Sequence, residues 1–146
     1  MKQFTIYLAG AMSCFGKERY DEGTEWREEI KGLLFNTSLM YRVVVIDPNN
    51  YYNFLEDDTY DSQREIMDFD LYKVRHSDIL VVNYNDDNNN SKGTDKEVAC
   101  AYEHGIPVIG LNERGIELHP WQECQTNKMF SDTKSLCEYL EEFYLN

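Results

Sequence analysis

Asp78-Ile79-Leu80-Val81-Val82-Asn83-Tyr84 is apolar at consecutive positions rather than at alternate ones. A strand with one wet face alternates, whereas an unbroken Ile, Leu and Val run belongs to a strand covered on both faces, as parallel strands are. Three more stretches share the character: residues 3–10 (QFTIYLAG), closed by glycine, residues 41–47 (YRVVVID), closed by Asp-Pro, and residues 106–111 (IPVIGL). Between them the period becomes helical. Trp26, Ile30, Leu33 and Leu34 mark a helix over about residues 22–34. Ser62-Gln63-Arg64-Glu65 has the form of a capping box that starts a second, with Ile66, Met67, Leu71 and Val74 turned to the sheet. Thr94-Asp95-Lys96-Glu97 repeats that form and opens a third helix, through Glu103. Ser131-Asp132 precedes Leu136, Tyr139, Leu140 and Phe143, an amphipathic closing helix, and residues 128–130 form a short fifth strand. Strand and helix in alternation, joined by right-handed crossovers, predict an α/β fold: an open, mostly parallel, doubly wound sheet of about five strands flanked by helices. Ligands of such sheets bind at the carboxyl ends of the strands, where the polar stretch 83–90 (NYNDDNNN) lies.

The 146 residues, 42% of them apolar, suffice for one core and one domain. With 27 acidic against 14 basic side chains the formal net charge is −13, which disfavours nucleic acid and anionic membrane surfaces as partners and leaves a small neutral or singly charged ligand. No run approaches the ~20 apolar residues of a membrane span. The opening MKQFTIYLAG is too short in its apolar part for a secretory leader. The four cysteines, Cys14, Cys100, Cys124 and Cys137, have neither C-x-x-C pairing nor a zinc or disulfide spacing, so the expectation is a cytoplasmic protein with cysteines as small core hydrophobes.

Two carboxylates stand out. Asp70 falls four residues after Ile66 and four before Val74, on the stripe that should face the sheet. It either pairs with Arg64, Lys73 or Arg75 at the edge of that face or points into a pocket. Glu97 is expected in the first turn of the third helix, where the helix dipole and free N–H groups favour its ionised form. It either closes the capping box with Thr94 or attacks an electron-poor carbon as a nucleophile, and a capping bond would still leave it aimed. Ser91-Lys92-Gly93-Thr94 offers hydroxyls and free N–H groups suited to a phosphate or a sugar hydroxyl, without the glycine spacing of the known nucleotide loops. Tyr7, three residues before Gly10, either reaches a pocket or is satisfied in the core. Asp86, Asn88, Asn90 and Glu97 occupy positions 1, 3, 5 and 12 of a calcium loop, but Ser91 replaces its glycine and the preceding segment reads as strand, so no metal site is expected. His119-Pro120-Trp121 lies either at a pocket mouth or on the surface.

Taken in order, I6-Y7-L8-A9-G10, D68-F69-D70-L71 leading into S77-D78-I79-L80-V81-V82-N83, S91-K92-G93-T94-D95-K96-E97, and G105-I106-P107-V108-I109-G110 resemble the nucleoside 2-deoxyribosyltransferase family and its N-glycosidase relatives. The resemblance spans roughly residues 4–111. It implies a single flavodoxin-like or Rossmann-like doubly wound domain over residues 1–146 that cleaves the N-glycosidic bond of a (deoxy)nucleoside and transfers the deoxyribosyl group to another base. Glu97 would be the nucleophile at C1′, Asp70 would handle the base and its proton, and Tyr7 would orient Glu97. Gly10, Ser13, Ser91, Gly93 and Thr94 would contact the substrate, with Ser91 at the sugar 5′ end. No metal or organic cofactor is implied; the partners are a nucleoside or nucleotide, a free base and further copies of the chain, for which the aromatic C-terminal segment with Tyr139, Phe143 and Tyr144 is a candidate surface. Transferases of the family carry an acid where Ser91 stands, and relatives that hydrolyse deoxynucleoside 5′-monophosphates do not. Those hydrolases place a basic residue soon after the first strand's glycine, whereas here Gly10 is followed by Ala11-Met12-Ser13-Cys14, with Lys17 and Arg19 arriving late. Two other readings stand beside transfer: the monophosphate hydrolase, and a nucleotide-binding module without turnover.

Overall fold

Ile6, Tyr7, Leu8 and Ala9 are all without solvent exposure in the computed structural model, which describes residues 1–12, 15–51, 62–86 and 91–146. Side chains of a strand alternate between faces, so this run is buried on both. Ile6 and Leu8 join one apolar layer, with Ile79 and Val81, against Trp26, Ile30 and Leu34. Tyr7 and Ala9 join the other, with Leu80 and Val82, against Val74, Val98 and Ala101. The segments concerned are β1 (Lys2–Gly10), α1 (Tyr20–Leu34), β2 (Tyr41–Ile46), α2 (Gln63–Arg75), β3 (Ile79–Asn83) and α3 (Lys92–Glu103). They are followed by β4 (Val108–Leu111), α4 (Pro120–Gln125), β5 (Lys128–Phe130) and α5 (Thr133–Leu140), whose last turn widens to π-helical over Glu141–Leu145.

The sheet has five parallel strands in the order β2-β1-β3-β4-β5. From β1 the chain goes to one side for β2 and then returns to the other side for β3. The strand order therefore reverses between β1 and β3, where Gly10 stands opposite Asn83. A crevice at the carboxyl ends of two such strands is the usual ligand site of doubly wound sheets.

Several expectations need correction. The third helix starts at Lys92 with Ser91 as its N-cap, three residues before the expected cap; Thr94 lies in its first turn and Glu97 a turn deeper. Thr94 and Glu97 thus form no capping box, because Ser91 already ends the irregular backbone. Of the α2 stripe only Val74 is fully buried, and Met67 is 44% exposed. The principal neighbour of α2 is α3, so its apolar stripe is divided between a helix and the sheet. His119-Pro120-Trp121 lies on the surface, where His119 caps α4, its ring nitrogen accepting from Trp121 N and its own N–H donating to Gln122. Cys100 and Cys137 are core residues as expected, whereas Cys124 is exposed; Cys14 lies outside the described residues. The calcium-loop reading fails because β3, not a helix, leads into it and Glu97 is engaged inside a helix. Asn88 and Asn90 lie outside the described residues, among which no group of His, Cys, Asp and Glu could hold a metal ion. Tyr139 and Tyr144 fold back on the sheet layer with Phe4, leaving Phe143 exposed. Among the described residues no helix is long and apolar enough to cross a membrane.

Candidate active site

The site begins with a charge in the wrong place. Gly23, Arg27, Ile30 and Leu34 are the buried stripe of α1, and Arg27 has no solvent exposure at all. A buried guanidinium needs an acceptor for each donor. Arg27 Nε donates to Gly23 O at 2.9 Å, Nη1 to Leu8 O at 2.8 Å and to Asp47 Oδ1 at 3.3 Å, and Nη2 to Gly10 O at 3.0 Å. One side chain thereby ties the end of β1, the first half of α1 and the end of β2. Asp47 is shared further: Lys31 Nζ lies 2.7 Å from its Oδ2, and its Oδ1 accepts from Asn49 N at 3.0 Å. That bond, with Pro48 at the first position, starts a 3₁₀ turn over Pro48–Asn50 that delivers Tyr51. Gly10 belongs to the same knot. A Cβ there would lie 2.8 Å from Trp26 Cζ2, so the glycine lets α1 approach β1.

Above this base four hydroxyl and carboxyl groups meet. Tyr7, inside β1, donates its hydroxyl to Glu97 Oε2 from α3. Tyr51 donates to Asp70 Oδ1 from α2 at 2.6 Å. Lys73 holds the Tyr51 ring from one face, its Nζ 3.3 Å from the centroid. Asp70 makes none of the ion pairs first considered for it; Arg64 pairs with Asp68 instead.

Burial pushes the Glu97 carboxyl up to about 8, with Asp70 adding to the rise and the Tyr7 hydrogen bond and Arg27 opposing it. This reverses the expected ionised state, since a residue in the second turn has left the free N–H groups behind. Burial raises Asp70 as well, against the hydrogen bond from Tyr51 and the charges of Lys73 and Arg27. Both tyrosines are raised by burial and stay neutral donors. The arrangement holds two protonatable carboxyls, one on each of two helices, against a common pair of phenols. Such a pair can supply a nucleophile and an acid.

Ser91 and Thr94 form a second patch at the start of α3, their hydroxyls 2.7 Å apart, on a narrow cleft that also touches Ala11, Asn83 and Tyr84. Gly93 is exposed in the same turn with nothing near its Cα side. Six residues at the helical rise put Ser91 roughly 9 Å from Glu97 along the axis. Ser13 lies outside the described residues. The structure thus joins Tyr7, Asp70 and Glu97 in one cluster, sets Ser91, Gly93 and Thr94 beside it, and gives Gly10 a packing role. The sequence reading missed Tyr51 and Arg27. For Arg27 the signal was present, since a charge on the Gly23-Ile30-Leu34 stripe is as anomalous as Asp70 on its own.

A family model described as nucleoside 2-deoxyribosyltransferase matches residues 6–138. Among solved structures, a conserved protein from Enterococcus faecalis V583 superposes with a TM-score of 0.76 at 18% identity, covering 96% of this chain and 98% of that one. The 2-deoxyribosyltransferase of Bacillus psychrosaccharolyticus gives 0.70 at 20% identity over 92% and 91% of the two chains. The CMP N-glycosidase of Clostridium botulinum gives 0.56 at 13% identity over 94% and 98%. No curated protein matches significantly.

Proposed function

The chain belongs to the nucleoside 2-deoxyribosyltransferase family, and from that premise we propose that it cleaves the N-glycosidic bond of a (deoxy)nucleoside through a covalent glycosyl-Glu97 intermediate and passes the sugar to a second base. The observation that carries this reading is the convergence of Glu97 and Asp70 on Tyr7 beside the β1/β3 switch point. As the C1′–N bond breaks, its electron pair leaves with the base, which takes the Asp70 proton. Positive charge builds at C1′ and the sugar ring oxygen, and a Glu97 oxygen closes on C1′. An incoming base nitrogen then displaces Glu97 and returns a proton to Asp70. Water in its place would make the reaction a hydrolysis. Tyr7 positions Glu97 throughout.

Hydrolysis of a 5′-monophosphate is the second reading, favoured by the hydroxyls of Ser91 and Thr94 at the open start of α3, where backbone N–H groups attract an anion. Incubating the protein with deoxynucleosides and their 5′-monophosphates, with and without a second free base, separates the two. A new nucleoside formed only with acceptor supports transfer; free base without acceptor supports hydrolysis. Glu97→Ala is expected to lower either rate more than roughly 1,000-fold with the fold intact. Turnover retained in that variant would remove Glu97 as nucleophile, and saturable nucleotide binding without any base release would favour a binding module.

A further inference from the structure

Three carboxylates of α1 stand in a row. Asp21, Glu25 and Glu29 follow one another at intervals of four residues, and all three line a hollow of about 300 Å³. Like charges at that spacing oppose helix formation, so the row weakens the helix that carries it. Glu113, from the segment after β4, lines the same hollow, and burial and the charges of Glu29 and Asp132 raise its carboxyl. Among the described residues no lysine or arginine forms an ion pair with any of these four acids; Arg19 and Arg114 are engaged with Glu22 instead. A second observation lies on the wall of the hollow. Asn85, only 8% exposed, donates its Nδ2 to Glu22 O at 2.7 Å, which fixes the orientation of the amide and leaves its buried Oδ1 without a donor. Asn83 Oδ1, on the same wall, is buried and likewise has no donor. A buried acceptor without a donor is costly. Two of them in an acidic hollow call for a ligand that carries both positive charge and N–H groups.

A bare metal ion does not answer that description. It needs oxygens gathered within about 2.0–2.6 Å of one point, and among the described residues no acidic group converges so closely. An alkylammonium does answer it, because each –NH₃⁺ brings three donors that reach acceptors spread over a wider surface. Four residues at the helical rise put successive carboxylates of the row about 6 Å apart, the separation of two nitrogens joined by four methylenes. The Trp26 ring, which also lines the hollow, gives the methylenes an apolar surface. We propose that this hollow binds a linear aliphatic polyamine, a diamine or triamine whose ammonium groups lie along the Asp21-Glu25-Glu29 row and donate to Asn85 and Asn83. Trp26 belongs to the layer on the α1 side of the sheet, whereas Tyr7 belongs to the layer under α2 and α3. The polyamine site therefore stands or falls apart from the glycosidic reading.

Calorimetric titration of the full chain with 1,4-diaminobutane and with spermidine, at a fixed ionic strength of about 0.1 M, is expected to show saturable one-to-one binding, tighter for the triamine. Tetramethylammonium, which carries charge without a donor, and magnesium chloride at equal ionic strength are expected to show none. Glu25→Gln should weaken polyamine binding about 5-fold, and Asn85→Leu at least about 10-fold. Glu103→Gln removes the same charge from the end of α3, away from the hollow, and should leave binding unchanged. Equal binding of magnesium or tetramethylammonium, or polyamine binding indifferent to Glu25→Gln, would reduce the effect to counterion attraction and overturn the site. Heats that never saturate, or no heat at all, would overturn it as well. If Asn85→Leu does not fold, the comparison of Glu25→Gln with Glu103→Gln decides alone.

Discussion

Glu97 is protonated in the folded chain up to a pH of about 8 and has an ordinary value of 4.5 when exposed. Between those limits the native state binds more protons than the unfolded chain, so this group's contribution is fully present below about pH 4.5 and is lost as pH rises to about 8. Glutamine cannot ionise. Glu97→Gln should therefore melt near the unaltered protein at pH about 4 and several degrees above it at pH about 8. Melting curves that run parallel across that range would contradict the buried-acid picture. Asp70 was legible in the sequence because an acid on an apolar helical stripe is an anomaly, and Glu97 because an acid expected beside a helix start is a candidate nucleophile. The protonation of Glu97 was not, because it depends on where the helix starts, and Ser91 and Thr94 are equally good caps by residue type. Tyr51 was illegible for a different reason: its position comes from the Asp47 cap and the Arg27 anchor, contacts between elements that no local pattern records.

At the scale of elements, β1 and α1 fit through Gly10. A methyl group there would sit 2.8 Å from the Trp26 ring, and the ring is fixed in the core. Gly10→Ala is expected to cost about 1–3 kcal/mol, read as a lower urea midpoint with unchanged slope. An unchanged midpoint would mean that α1 can draw back from the sheet. The parallel strands were readable because double burial leaves a compositional mark, as in Ile79–Asn83, where every residue is buried. α4 was not, because a helix of 6 residues has too few turns to show a period. Its place depends on a tertiary bond instead, Gln122 Nε2 to Asp95 Oδ1 of α3 at 2.9 Å.

For the whole molecule, the net charge of −13 is concentrated in places. Asp21, Glu22, Glu25, Glu29 and Glu113 line one hollow beside α1 with Arg114. Burial raises Glu113, and the charges of Glu29 and Asp132 raise it further, a sign of mutual repulsion. Screening should relieve it. The melting temperature is expected to rise from about 0.02 M to about 0.5 M sodium chloride, most of the gain coming once the screening length falls below the spacing of these groups, on the order of 10 Å. A flat or falling response would show that the surface ion pairs of Glu22 with Arg19 and Arg114 outweigh the repulsion. Arg27 answers to neither variable. Burial lowers its guanidinium from the ordinary arginine value, the charges of Asp47 and Glu97 oppose that fall, and the group lies beyond the reach of dissolved ions. The active-site acids thus ride on a constant background, like a circuit whose bias voltage is soldered in.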